Sequence, residues 1–254
     1  DVIMNNSVST TTDLGYSIAK NNWKVYAGLG YASDNGIMEH TYYRRGNFRL
    51  NSSVKLFDQK LTIGENLTVA SFGEVKANAT EDALLQNPLI PLYGEDGSFG
   101  GPTGAGLQDK WNPLAILEIN RNNVERTLRT FGNVYADYKI TEHLSVNTKL
   151  NFDINNFKFD EKTGYFNQNG SILGNRIIIN NEEFSRFVRR RNDSETFIWT
   201  NLITYNRDFG NHTLNAFVGQ ESFQRDQINE FHRIEVPLGT EIDYDNIEQY
   251  PVIA

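Results

Sequence analysis

The sequence predicts an all-β fold: an antiparallel up-and-down transmembrane β-barrel segment, about eight strands of a larger barrel, with long extracellular loops. Three observations predict it. Apolar and polar residues alternate over stretches longer than most strands of water-soluble proteins. These stretches come in pairs joined by tight turns. Long connections separate the pairs, so short and long connections alternate along the chain. Successive connections of an up-and-down sheet fall at opposite edges. Every short turn therefore lies at one edge and every long loop at the other, an arrangement that membrane barrels have and a meander in water has no reason to adopt.

The clearest stretch is LSVNTKLNFDI. Leu144, Val146, Thr148, Leu150, Phe152 and Ile154 share one face, and Ser145, Asn147, Lys149, Asn151 and Asp153 share the other. At ~3.3 Å rise and ~45° tilt, these eleven residues (144 to 154) span about 25 Å, the height of the apolar band of a membrane barrel.

The remaining elements follow in chain order. DLGYSIAK and WKVYAGLGYA flank a turn at Asn21-Asn22, and Trp23, Val25, Ala27, Leu29 and Tyr31 share a face. Phe48, Leu50, Val54 and Leu56 form the apolar side of NFRLNSSVKLF. A turn at Asp58-Gln59 leads into Leu61, Ile63, Leu67 and Val69 of the next strand. TLRTFGNVYADYKI turns at Thr141-Glu142 into the stretch above. TFIWTNLITYNRDF turns at Gly210-Asn211 into a strand with Leu214, Ala216 and Val218 aligned, while the faces of 196–206 stay ambiguous. The long connections are expected near 33–41, 75–126, 157–194 and from 227 onward. Trp23, Tyr31, Tyr138 and Phe157 stand near strand ends, where interfacial girdles place aromatic residues. Inside the second connection a short helix is expected near 81–86. Another is expected over Leu114–Ile119, with Asn112 as its cap and Pro113 at its first position.

Composition sets bounds. The chain has 254 residues, a net charge of −8 and no cysteine. Nucleic acid is not expected as a partner, because such proteins present a basic face. Disulfides and thiolate metal sites are excluded. Mean hydropathy is −0.52, which does not separate a water-soluble sheet from a membrane barrel, since barrel strands are polar at alternate positions.

The ordered series GLGYASDNGIM, RRGNFRLNSSVKLFDQKLTIGENLTVA, NPLIPLYGEDGSFGGP, NPLAILEINRNN and RTFGNVYADYKITEHLSVNTKLNFD resembles the barrel region of SusC/RagA-type TonB-linked outer-membrane transporters of Bacteroidetes. The resemblance implies a barrel plugged by an N-terminal domain in the cell outer membrane. It implies uptake of oligosaccharides or peptides, energy from the TonB complex, and a SusD-like surface lipoprotein over the mouth. It implies no catalysis and no cofactor. The plug and the TonB-contacting segment are not in this sequence. The chain is therefore expected to be residues 1–254 of a partial barrel domain, since a 22-strand barrel at this density needs on the order of 640 residues.

Candidate contacts lie mostly in the long loops. Tyr93, Phe99, Trp111, Tyr165 and Phe166 are candidates for stacking on sugar rings or packing under the lipoprotein lid. Arg189, Arg190 and Arg191, in FVRRRND, are expected in an outer loop as candidates for lipid phosphate or an anionic substrate. Arg129, Tyr135, Lys149 and Asn151 are expected to face the plug. EDGS (95–98) reads as a turn, and neither it nor DYDN (243–246) matches a calcium loop. Four scattered histidines show no zinc spacing. The alternative is a soluble or surface-attached β-rich carbohydrate-binding module, which requires a second sheet over Leu144, Val146, Leu150 and Phe152.

Overall fold

The computed structural model describes residues 3–95, 97–101, 112–163, 168–169, 184–237 and 250. Its strands are β1 (Ser9–Lys20), β2 (Trp23–Asn35), β3 (Tyr42–Leu56), β4 (Leu61–Val75), β5 (Phe99–Gly100), β6 (Val124–Lys139), β7 (Leu144–Thr163), β8 (Gln168–Asn169), β9 (Phe184–Phe209) and β10 (His212–Pro237). All but β5 and β8 form one eight-stranded sheet in chain order. Every neighbouring pair in it is antiparallel. The outermost strands, β1 and β10, do not pair with each other, so the sheet is open.

The four short turns fall where the sequence places them. Asn21 (φ 25°) and Gly210 (φ 61°) take the left-handed backbone that tight hairpins require. The β3–β4 turn is unusual: Phe57, Asp58 and Gln59 have φ values of 50°, 51° and 68°, and none is glycine.

Residues directly opposite in the register share a face. From Leu150, one row runs through Val134, Glu65, Ser52, Val25 and Ile18 in one direction. It runs through Trp199 and Ser222 in the other. The adjacent row, on the opposite face, reads Asn151, Asn133, Asn66, Asn51, Tyr26 and Ser17. One side of the sheet is thus mostly apolar, with carboxylates at Glu65 and, in the row of Ile154, at Glu195 and Asp226, and with a few hydroxyl and amide residues. The other side is mostly polar from β1 to β7, while β9 and β10 add Ile198, Leu202, Phe217 and Phe223 to it.

No second sheet lies on the apolar side among the described residues. Leu29 (58%), Val134 (49%) and Leu150 (43%) remain exposed there. The buried clusters lie elsewhere. Phe187, Ile234 and Val236 pack together at the long-loop end, against Tyr250. Ala79, Ala115 and Leu117 are fully buried in the β4–β6 connection. Among the described residues no helix is long and apolar enough to cross a membrane, which does not bear on strands.

Three expectations are corrected. The third long connection is 164–183, not 157–194, because β7 and β9 continue beyond the apolar span. FVRRRND is therefore strand, not loop. Likewise β10 continues to Pro237, so its long connection does not begin at 227. Phe157 pairs with Thr127 on the polar side and is not part of an outer aromatic girdle. The ambiguous faces of β9 are resolved by register: Phe197, Trp199, Ile203 and Tyr205 join the apolar side.

Candidate functional site

The polar side carries several separate cross-strand hydrogen-bonded pairs. Arg129 and Asp153 form a two-pronged ion pair, Nε to Oδ1 at 2.9 Å and Nη2 to Oδ2 at 2.6 Å. Asn66 donates to Asn133 (3.1 Å), and Asn147 to Asp137 (2.5 Å). Asn151 donates to the Ile198 carbonyl (3.3 Å). The Tyr135 ring lies flat over Gly64, where a Cβ would stand 2.5 Å from the ring. Tyr26 similarly covers Gly15 and Gly28. Glycine at these positions lets large rings lie along the wall rather than project from it. Beside them is a hollow of about 360 Å³, bordered by Ser17, Lys24, Tyr26, Asn51, Asn66 and Tyr135. Arg129, Tyr135, Lys149 and Asn151 all belong to this side, as alternation predicts.

The β4–β6 connection carries a small folded layer. Helix α1 (Thr80–Leu85) and helix α2 (Pro113–Asn120) occur within a residue or so of their expected places. Asn112 is buried. Its Oδ1 accepts from the N–H groups of Leu114 (3.0 Å) and Ala115 (3.3 Å). Its Nδ2 donates to the carbonyls of Leu92 (2.9 Å) and Gly100 (3.0 Å). One side chain therefore caps the helix and holds the preceding loop against it. At the base of the layer Lys76 bridges Glu74 and Glu125, both at 2.8 Å. The Glu125 contact, then that of Glu74, raises the Lys76 ammonium above its ordinary value. His40 Nε2 meets Glu118 at 3.1 Å, joining the β2–β3 loop to α2.

Tyr93 and Phe99 stack, with centroids 6.0 Å apart and planes at 27°. Tyr93 and Phe99 also form an antiparallel bridge, and between them Gly97 takes φ 79°. Phe99–Gly100 pairs in parallel with Gln168–Asn169, which joins the second long connection to the third. Trp111, Tyr165, Phe166 and DYDN lie outside the described residues.

Strand geometry separates the three arginines. Arg189 and Arg191 share the face of the apolar span, above it, and Arg190 lies on the polar side. Each already has a carboxylate: Arg189 with Asp160 (2.7 Å), Arg190 with Glu161 (3.7 Å) and Arg191 with Asp193 (2.8 Å). Burial pushes the Asp160 carboxyl up. The hydrogen bond and charge of Arg189, with help from Lys158, outweigh this and hold it below the ordinary carboxylate range.

A second hollow, about 540 Å³, lies at the top of the apolar side. Tyr31, Tyr42, Arg44, Leu128, Arg126 and Lys158 are among its borders, with Gly46 and Gly73 in its floor. These residues are absent from the candidates of the sequence reading. The available signal was a basic residue two or four positions past the eleven-residue apolar span in each of three strands.

No protein-family model matches the chain. The TonB-dependent receptor P26 of Formosa agariphila is 27% identical over 230 residues, 89% of this chain and 22% of that receptor. The TonB-dependent receptor SusC of Bacteroides thetaiotaomicron is 28% identical over 162 residues, 55% of this chain and 16% of SusC. The chain thus spans about a fifth of the length of the curated relatives it matches. A structure of the RagAB peptide importer in the closed-closed state gives a TM-score of 0.73 at 15% identity, covering 96% of this chain and 27% of that one. The open-open state gives 0.63 at 16% identity, with 89% and 25% covered. The resemblance to SusC/RagA-type TonB-linked transporters holds in both sequence and fold. The open sheet matches a segment of an up-and-down barrel wall.

Proposed function

We propose that this chain forms lipid-facing wall and outer loops of a TonB-dependent transporter in the cell outer membrane, importing oligosaccharides or peptides. It carries no catalytic residues and uses no cofactor. The observation that carries this reading is the exposed apolar side, eleven residues tall and backed by a polar face, with no sheet over it among the described residues. Leaving Leu29, Val134 and Leu150 in water costs free energy in proportion to their apolar area, and lipid removes that cost. A soluble carbohydrate-binding module would have to cover the same surface.

The lumen wall then faces a plug supplied by segments outside this chain, through which the TonB complex acts. A SusD-like lipoprotein is the proposed partner at the loop edge. Tyr93 and Phe99, with Trp111, Tyr165 and Phe166 from the same two connections, are the proposed contacts for substrate or for that partner. Arg190, on the lumen side above the apolar span, is the proposed anion contact for substrate; Arg189 and Arg191 face outward, towards lipid phosphate.

The test uses the full-length protein. It is expected in the outer-membrane fraction, with the 76–123 connection cut by protease added to intact cells. Loss of the gene is expected to abolish uptake of either labelled oligosaccharides or labelled peptides. Recovery in the soluble fraction would overturn the reading.

A further inference from the structure

The hollow on the apolar side has a composition that the barrel wall alone does not explain. One register row across the sheet reads Thr10, Ser33, Arg44, Gly73, Arg126, Lys158, Arg191 and Glu230. Four of its eight members are cations, adjacent but for Gly73, in a chain of net charge −8. Arg126 and Lys158 stand directly opposite one another, and like charges so placed repel. Lys158 has Asp160 at 3.2 Å and Arg191 has Asp193. Among the described residues no carboxylate forms an ion pair with Arg44 or Arg126. Arg44 is held over the Tyr42 ring, 4.6 Å from its centroid.

Gly73 separates the two arginines. Neither it nor Gly46 has any atom within 4 Å of where a Cβ would be. Two strand spacings of ~4.8 Å put the Arg44 and Arg126 backbones about 10 Å apart across this gap. Both arginines border the hollow, one from either side of the gap, and the planar guanidinium fork suits a tetrahedral anion. The height matters equally. Arg44 comes two residues above the span Gly46–Leu56, Arg126 two above Leu128–Tyr138, and Lys158 four above Leu144–Ile154. The row therefore lies where an apolar band gives way to water, with Tyr31 and Leu128 at its lower border and Tyr42 above Arg44. A free anion needs only the cations. A lipid needs the cations and an apolar wall directly beneath, and both are present.

We propose that this hollow binds the phosphate group of an outer-leaflet phospholipid or phosphorylated glycolipid, its acyl chains lying against the apolar span below. Arg44 and Arg126 grip the phosphate across Gly73, and Lys158 adds charge from the adjoining strand. This inference rests on the outer-membrane reading above.

The test is native mass spectrometry of the full-length protein in detergent, titrated with lipid A carrying one phosphate and with the same lipid A dephosphorylated. The wild type is expected to retain the phosphorylated form about thirtyfold more tightly than does R44Q/R126Q. The dephosphorylated form is expected to bind wild type as weakly as the phosphorylated form binds that variant. Inorganic phosphate alone is expected not to compete at equal concentration. Arg49→Gln removes one positive charge from the other side of β3 and is expected to bind like wild type. Gly73→Leu fills the hollow while keeping every charge, and is expected to lose the phosphorylated lipid. It decides the matter if the double variant does not reach the membrane. Equal binding by wild type and Gly73→Leu, or no dependence on the lipid phosphate, overturns the proposal. Absence of the wild type from the outer membrane instead overturns the reading beneath it.

Discussion

At the scale of single residues, Glu65 breaks the pattern most plainly. It stands in the row of Val134 and Leu150, on the apolar side, and among the described residues only the Ser52 hydroxyl is hydrogen-bonded to its carboxylate. A charged group in an apolar band is destabilising in proportion to its depth. Glu65→Leu is expected to stabilise the full-length barrel by about 1 kcal/mol in urea unfolding from lipid vesicles; a loss of stability would show that the carboxylate has a partner in the complete wall. Asp160 presents the reverse case, a carboxylate above the apolar span gripped by Arg189. Because its folded value is depressed, the pair contributes stability above the ordinary carboxylate range and loses it as the pH falls through the lowered value. Asp160→Asn is therefore expected to speed amide hydrogen exchange in 158–163 and 186–191 at pH 7. The difference from wild type should fade below about pH 4. A difference that persists unchanged at lower pH would show that the charge is not what holds these strands together.

At the scale of elements, β7 tests which side meets lipid. Leu150→Arg is expected to destabilise the barrel by about 2–4 kcal/mol, whereas Asn151→Arg, one residue along and on the other face, is expected to change stability little. Equal effects in unfolding from vesicles would contradict the two-sided assignment. The alternation that makes this prediction was legible in the sequence wherever one side is dry. So were the four turns and α2, because a cap, a proline and tight-turn residues are local signals. The upper parts of β7 and β9 were not legible. Above the apolar span both sides are wet, alternation gives way to charge, and FVRRRND reads like a loop although it is strand. The faces of 196–206 were obscured for a related reason: Ile198 and Leu202 lie on the polar side while Asn201 lies on the apolar one, where Thr148 and Gln220 satisfy its amide. The cation row was invisible because register, not sequence proximity, brings positions 44, 126 and 158 together.

At the scale of the whole molecule, the open sheet has two raw edges and belongs in a larger closed wall. Its proposed placement in a bilayer is testable through two tryptophans on the same side. Trp199 lies in the row of Leu150, with its indole N–H donated to Thr148 (3.0 Å), and Trp23 opens β2 beside a short turn. In single-tryptophan variants of the full-length protein, bromine-labelled acyl chains are expected to quench Trp199 most when the bromine is deep and Trp23 most when it is near the headgroup. The opposite order would invert the wall. The strands also lengthen from 12 residues in β1 to 26 in β9 and β10, so the rim is far higher at one edge than at the other. Nothing local in the sequence announces that slope, because it is a property of strand ends that only pairing defines.

The two-residue ladder between β5 and β8 has a consequence for anyone who would re-engineer this mouth. It joins backbones 69 positions apart, Phe99 with Gln168, from connections on either side of a complete β6–β7 hairpin. Grafting 76–123 alone onto another barrel would strand half of the ladder and leave its amides without acceptors. The second and third connections form one transplantable unit, and chimaeras should exchange them together.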